Sequence, residues 1–176
     1  GMFLVDLFVD PEHRGSGAAR LLLAELARIA ARHDAVVVSD EIWAPLVFSG
    51  HTHLPYASLS PRTAAHTITA VSASKGWNIP GLKCAQMVFS NEKDVDTWKN
   101  LTGVAKDGTG TLGVLAAEAA YRKGVDFLDE EVEYLKDTRD WLVDELPKRV
   151  PGLKTSRPEA TYLLWLDFSE TAIGDN

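Results

Sequence analysis

Ser72-Ala73-Ser74-Lys75-Gly76-Trp77-Asn78-Ile79-Pro80-Gly81-Leu82-Lys83 follows directly on Thr67-Ile68-Thr69-Ala70-Val71. The first five of these residues are mostly β-branched and read as a buried strand, so the polar stretch begins where that strand ends. Some thirty residues earlier the pattern is similar: Val36-Val37-Val38 reads as a fully buried strand and runs into Ser39-Asp40-Glu41-Ile42-Trp43. The strand ends thus carry a primary amine, a carboxylate, hydroxyls and a second cation, none of which suits a core. Open α/β sheets hold their ligands beyond the carboxyl ends of strands.

An amine that can lose its proton attacks an aldehyde, and nearby hydroxyls and cations can hold an anion close by. Lys75 is the candidate amine. An acid buried beyond a strand end, here Asp40, can pair with a protonated ring nitrogen and make the ring an electron sink. Together these groups point to pyridoxal phosphate. Taken singly, each has a plainer reading, with Lys75 a solvated loop lysine and Asp40 a strand-end cap.

Around these two stretches the chain reads as α/β. Met2 to Val9 is a predicted strand and Asp10 to Ala19 a glycine-containing turn. A helix follows, with apolar positions at helical spacing from Leu21 to Ile29 and an end near His33-Asp34. Strand, turn, helix and the strand at Val36 make a βαβ unit, which implies a parallel sheet. Cys84 to Ser90 is a further strand and Asp94 to Leu101 a short helix. Gly113 to Arg122 is an alanine-rich helix expected to be well buried. Phe127 to Val150 is a long helix that Pro147 should break or kink, with an apolar stripe expected to be core. Ala160 to Phe168 reads as a strand. His51 and His53 stand two apart, but without other ligands nearby they read as loop histidines rather than a metal site.

The 176 residues are 45% hydrophobic and 24% charged, ordinary for a soluble globular chain with a real core. A net charge of −7 argues against nucleic acid or an anionic membrane as partner, since both need a basic face. The single cysteine, Cys84, excludes an intrachain disulfide framework and fits a reducing cytoplasm. Neither a membrane span nor an export signal is read.

Ser39 to Val47, Ser72 to Gln86 and Lys106-Asp107-Gly108-Thr109-Gly110-Thr111-Leu112-Gly113 resemble the fold-type I pyridoxal-phosphate enzymes. The stretches look most like the cystathionine β-lyase (C–S lyase) branch of the class I/II aminotransferases, with similarity from about Leu21 to Thr171. The resemblance implies the central part of a large domain, a mostly parallel sheet with flanking helices, over residues 21–150. It implies the start of a small domain over 151–176. It also implies an amino-acid substrate bearing a β-thioether, with transamination as the alternative reaction, and a homodimer.

Carried over by resemblance, Lys75 is the lysine that binds the cofactor and shuttles the α-proton. Asp40 is the carboxylate on the pyridine nitrogen, and Ser72, Ser74 and Lys83 lie where the phosphate is bound. Trp43 stands where many relatives have Tyr or His beside the ring hydroxyl; its indole N–H can donate but cannot ionise. Lys83 stands where many aminotransferases have Arg, so bidentate phosphate binding is not available. A complete enzyme of this kind is about twice as long. The chain is therefore expected to be a fragment holding part of the site, with an inactive truncated protein as an alternative.

Residues 1–20 depart from that pattern. Phe8 to Ala19, with Arg14, Gly17 and Ala19, resembles the pyrophosphate loop of the GNAT acetyltransferases, where glycines let backbone N–H groups approach phosphate. A different origin for this segment, and acetyl-coenzyme A binding, is the rival expectation.

Overall fold

The computed structural model describes residues 9, 13 and 15–173. Of the strand expected over Met2–Val9 only Val9 is described, and Asp10, Pro11, Glu12 and Arg14 of the following turn lie outside the described residues. The first described helix, α1 (Ala18–Arg32), starts at Gly17, whose φ of 85° is a left-handed conformation that glycine adopts without strain. It buries Ala27 and Ala30.

Three strands form the central sheet in the order β1 (Val37–Asp40), β2 (Thr67–Val71), β3 (Gln86–Phe89). β1 and β2 run parallel, as the sequence suggests, with Val37 opposite Thr67 and Asp40 opposite Ala70. β3 runs antiparallel to β2, pairing Val71 with Gln86. The C-terminal ends of β1 and β2 and the start of β3 therefore share one edge.

The valine strand is not fully buried. Side chains alternate along β1, and Val38 is 65% exposed while Val37 and Ser39 are half-buried. Thr67 and Thr69, opposite Val37 and Ser39, are buried. One face of the β1–β2 pair is thus covered and the other open. Asp40 lies on the open face and is exposed, contrary to its expected burial.

The helical half follows the periodicity more closely than the expected burial. After the single turns α2 (Pro61–Ala64) and α3 (Ala73–Gly76) come α4 (Glu92–Asn100), the single turn α5 (Gly103–Lys106), α6 (Thr111–Lys123) and α7 (Val125–Arg149). α6 buries Gly113, Ala117 and Ala120 but exposes Leu112, Val114 and Leu115. No residue of α7 is fully buried, so its stripe is half-covered rather than core. Pro147 does not end the helix, which runs on to Arg149; proline removes one backbone donor within its last turn, while Val150 N–H still reaches Leu146 O at 2.9 Å.

The predicted strand over 160–168 is shorter. A single bridge pairs Val47 with Ala160, and only Leu166–Asp167 (β5) pairs again, with Lys154–Thr155 (β4). Thr161 adopts φ 67°, which takes the chain out of extended geometry between the two. Among the described residues no helix is long and apolar enough to cross a membrane.

One side-chain atom on α7 is poorly matched. Glu131 Oε2 is shielded from solvent without a hydrogen-bond partner, and burial pushes its carboxyl above the usual range. The acid therefore binds its proton more tightly folded than unfolded, so its contribution to stability is greatest below the unfolded carboxylate range and falls as pH rises through the folded value. Glu131→Met should raise the melting temperature at pH 7, by about 1 kcal/mol of stability. Thermal melts at pH 7 and pH 4 should show the gain shrinking in acid.

Candidate active site

The shared sheet edge brings the predicted residues together. β2 ends at Val71, and Ser72 caps α3 (Ala73–Gly76), a single turn with Ser72 Oγ accepting from Ser74 N–H at 3.0 Å. Ala73 and Gly76, three apart, turn inward and are buried, which leaves Ser74 and Lys75 facing outward, half-buried. Beneath them lies a cluster of Ala73, Cys84, Ala117 and Ala120, packed by Trp77 and Ile79. Trp77 fixes the floor by donating its indole N–H to Gly124 O at 2.7 Å.

Gly76 is what lets the lysine turn approach β1's extension. A Cβ at Gly76 would stand 2.8 Å from Pro45 Cβ and 3.4 Å from Leu128 Cδ1. With only hydrogen there, α3 packs against the turn carrying Trp43, and Lys75 Nζ lies 5.0 Å from the Trp43 ring centroid.

Asp40 stands at the end of β1, its Oδ1 accepting from Ile42 N–H at 3.1 Å in a local turn. The ladder continues one residue further, Glu41 N–H donating to Ala70 O at 2.9 Å, so Asp40 is held in register with the strand that leads to Lys75.

The two serines have different duties. Ser72 is buried and donates its hydroxyl proton to Cys84 O at 2.5 Å, joining the start of β2's loop to the approach to β3. With that proton committed, Ser74 is the donor in the 2.7 Å contact between the two hydroxyls. Ser74 can redirect its proton to an incoming anion, whereas Ser72 can do so only by releasing Cys84. Lys83, next to Cys84, is exposed at φ 49°, after the turn Pro80–Leu82. The structure thus gathers Asp40, Trp43, Ser72, Ser74 and Lys75 at one edge and sets Lys83 on the adjoining loop.

One residue of the quoted stretch has a part that the sequence reading passed over. Glu41 is buried, and its Oε1 accepts from Ser39 Oγ at 2.9 Å and from Tyr56 N–H at 3.0 Å. Its Oε2 lies 2.9 Å from His53 Nε2. Strand alternation carries the signal, since Glu41 falls on the covered side with Ser39 and Val37 while Asp40 falls on the other. His51 lies 3.5 Å from Glu159 Oε2, so each of the loop histidines faces an acid. Among the described residues no group of three or more His, Cys, Asp or Glu could hold a metal ion.

Comparison with known proteins decides the ancestry of this arrangement. The profile of the family described as aminotransferase class I and II matches residues 14–173. The chain belongs to that family. It is 47% identical over 168 residues to the cystathionine β-lyase of Corynebacterium glutamicum, covering 95% of this chain and 45% of that one. Among solved structures, a Corynebacterium diphtheriae protein described as a PLP-dependent β-cystathionase superposes with a TM-score of 0.81 at 50% identity, covering 95% of this chain and 42% of that one. The PLP-bound C–S lyase from Staphylococcus hominis superposes with a TM-score of 0.73 at 34% identity, over 89% and 40%. The chain spans less than half the length of these relatives. Family membership accounts for the parallel β1–β2 pair and for the mixed α/β architecture.

Proposed function

We propose that the chain carries the cofactor-attaching part of a pyridoxal-phosphate-dependent carbon–sulfur β-lyase acting on β-thioether amino acids. The observation that supports this best is the convergence of Lys75, Asp40 and Ser74 at one sheet edge, within a family whose matched relatives include cystathionine β-lyases.

The donor set fits the cofactor in kind. A primary amine, a carboxylate exposed at a strand end, an adaptable hydroxyl and a neighbouring cation are the groups that an aldehyde-bearing pyridine phosphate requires. Bound, pyridoxal phosphate supplies an electron sink that makes the substrate Cα–H acidic. Lys75 would hold the cofactor through Nζ, and the same nitrogen would take the substrate's Cα proton. Asp40 keeps a proton on the ring nitrogen by its negative charge. Ser74 donates a hydrogen bond to phosphate, and Lys83 adds a cation from the adjoining loop. Ser72 shapes the loop through Cys84, and Trp43 borders Lys75. A cytoplasmic homodimer acting on a small amino acid completes the reading.

Within the complete protein, pyridoxal phosphate and a β-thioether amino acid should give thiol, pyruvate and ammonia, and Lys75→Ala should abolish the release. Transfer of the amino group to an added 2-oxo acid without thiol release would instead favour the aminotransferase reading.

A further inference from the structure

Tyr162 lies outside every residue assigned to the site above, yet it is the side chain that braces one of them. Its ring meets Trp43 edge-on, with centroids 4.4 Å apart and planes at 69°. The same indole carries Lys75 Nζ at 5.0 Å. Tyr162 therefore stands no farther from the lysine nitrogen than those two distances together.

The backbone that presents Tyr162 is unusual. Thr161 sits at φ 67°, a left-handed conformation rare for a β-branched residue. Conformations of this kind persist only where the surroundings over-determine them. Here the surroundings do. Thr161 N–H donates to Leu46 O at 2.7 Å, Phe48 N–H donates to Glu159 O at 3.0 Å, and Thr161 Oγ1 accepts from Leu163 N–H at 3.2 Å. Leu46 and Phe48 are fully buried, so the anchor is rigid. An extended Thr161 would prolong the bridge between Val47 and Ala160 in a straight line. The left-handed turn instead takes the next side chain off that line, where it meets Trp43.

We propose that Tyr162 is a positioning residue for Lys75, acting through Trp43: its ring braces the indole from the side and keeps it against the lysine head group. The inference rests on the reading of Lys75 as the cofactor lysine. It predicts that the aromatic ring of Tyr162 is required and its hydroxyl is not.

The test uses the full chain labelled with 5-fluorotryptophan, which gives one fluorine resonance for each of its five tryptophans. The Trp43 line is assigned by its loss in Trp43→Phe. Lys75→Met should move that line in the unaltered protein and in Tyr162→Phe, but should no longer move it in Tyr162→Leu, where the indole has left the lysine. Persistence of the lysine effect in Tyr162→Leu overturns the inference. So does collapse of all five lines in that variant, because Tyr162 would then hold the fold rather than the indole. In parallel, borohydride fixation of pyridoxal phosphate at Lys75 should slow roughly tenfold in Tyr162→Leu and stay unchanged in Tyr162→Phe. If the unaltered chain fixes no cofactor, the cofactor reading fails, while the fluorine spectra still decide the role of Tyr162.

Discussion

Gly113→Ala should destabilise the protein by about 3 kcal/mol, which for a chain of this size lowers the melting temperature by roughly 6–12 °C. A Cβ at Gly113 would lie 2.4 Å from Leu82 O and 3.1 Å from Cys84 Cβ. The first neighbour is a backbone atom of the loop that also carries Lys83 and cannot rotate away. Helix propensity alone predicts the opposite, since alanine is favoured over glycine inside a helix by about 1 kcal/mol. The clash outweighs that gain because α6 and the loop are in direct backbone contact. The damage should reach the site, since displacing Leu82–Cys84 strains the 2.5 Å hydrogen bond from Ser72 to Cys84 O that caps the lysine turn. A calorimetric melt gives the magnitude. A melting temperature equal to or above that of the unaltered protein would show that α6 does not press on this loop.

The second large effect is expected at Phe48. The side chain is 1% exposed and sits under Arg139, whose guanidinium carbon is 4.4 Å from the ring centroid. Phe48→Ala should cost about 3–5 kcal/mol, the usual range for emptying a buried aromatic site. The position is a junction between two parts of the chain. Arg139 on α7 also donates to Pro158 O at 2.9 Å and pairs with Asp140, which in turn binds Arg157. The ring therefore helps to fix the C-terminal segment, and with it Thr161 and Tyr162, against the segment 46–48. Urea unfolding of Phe48→Ala, Arg139→Met and the double variant should reveal a coupling of about 1 kcal/mol between ring and cation. Additive losses would show that the stacking is incidental.

These two positions mark what the sequence could and could not disclose. Thr67–Val71 reads as a strand from its β-branched residues and is one, because local propensity and the covered face agree. Apolar periodicity from Leu21 to Ile29 and from Phe127 to Val150 marks two helices, which the structure has over Ala18–Arg32 and Val125–Arg149. What failed was burial. Val38, Val114 and Leu115 look like core residues on hydrophobicity alone, yet all are exposed, because burial depends on what lies against each face, and periodicity does not state that. The strand expected from Ala160 to Phe168 failed because the left-handed residue at Thr161 has no signature in a threonine. At the site, the amine, the carboxylate and the hydroxyls were legible as chemistry out of place in a core. The division of labour between Ser72 and Ser74 was not, because it depends on which carbonyl Ser72 meets across the loop. Nor was the brace from Tyr162, which lies more than a hundred residues along the chain from Trp43.

If Lys75 is the residue that attaches pyridoxal phosphate, as proposed, peptide mapping after borohydride reduction should find it. The protein is mixed with pyridoxal phosphate, reduced, digested with trypsin and analysed by mass spectrometry for the site of the pyridoxyl group. One predominant modified site is expected, Lys75, with the visible absorbance of the unreduced mixture lost in Lys75→Ala. Label distributed among exposed lysines such as Lys93, Lys99 and Lys154, with Lys75 no more modified than they are, would contradict it.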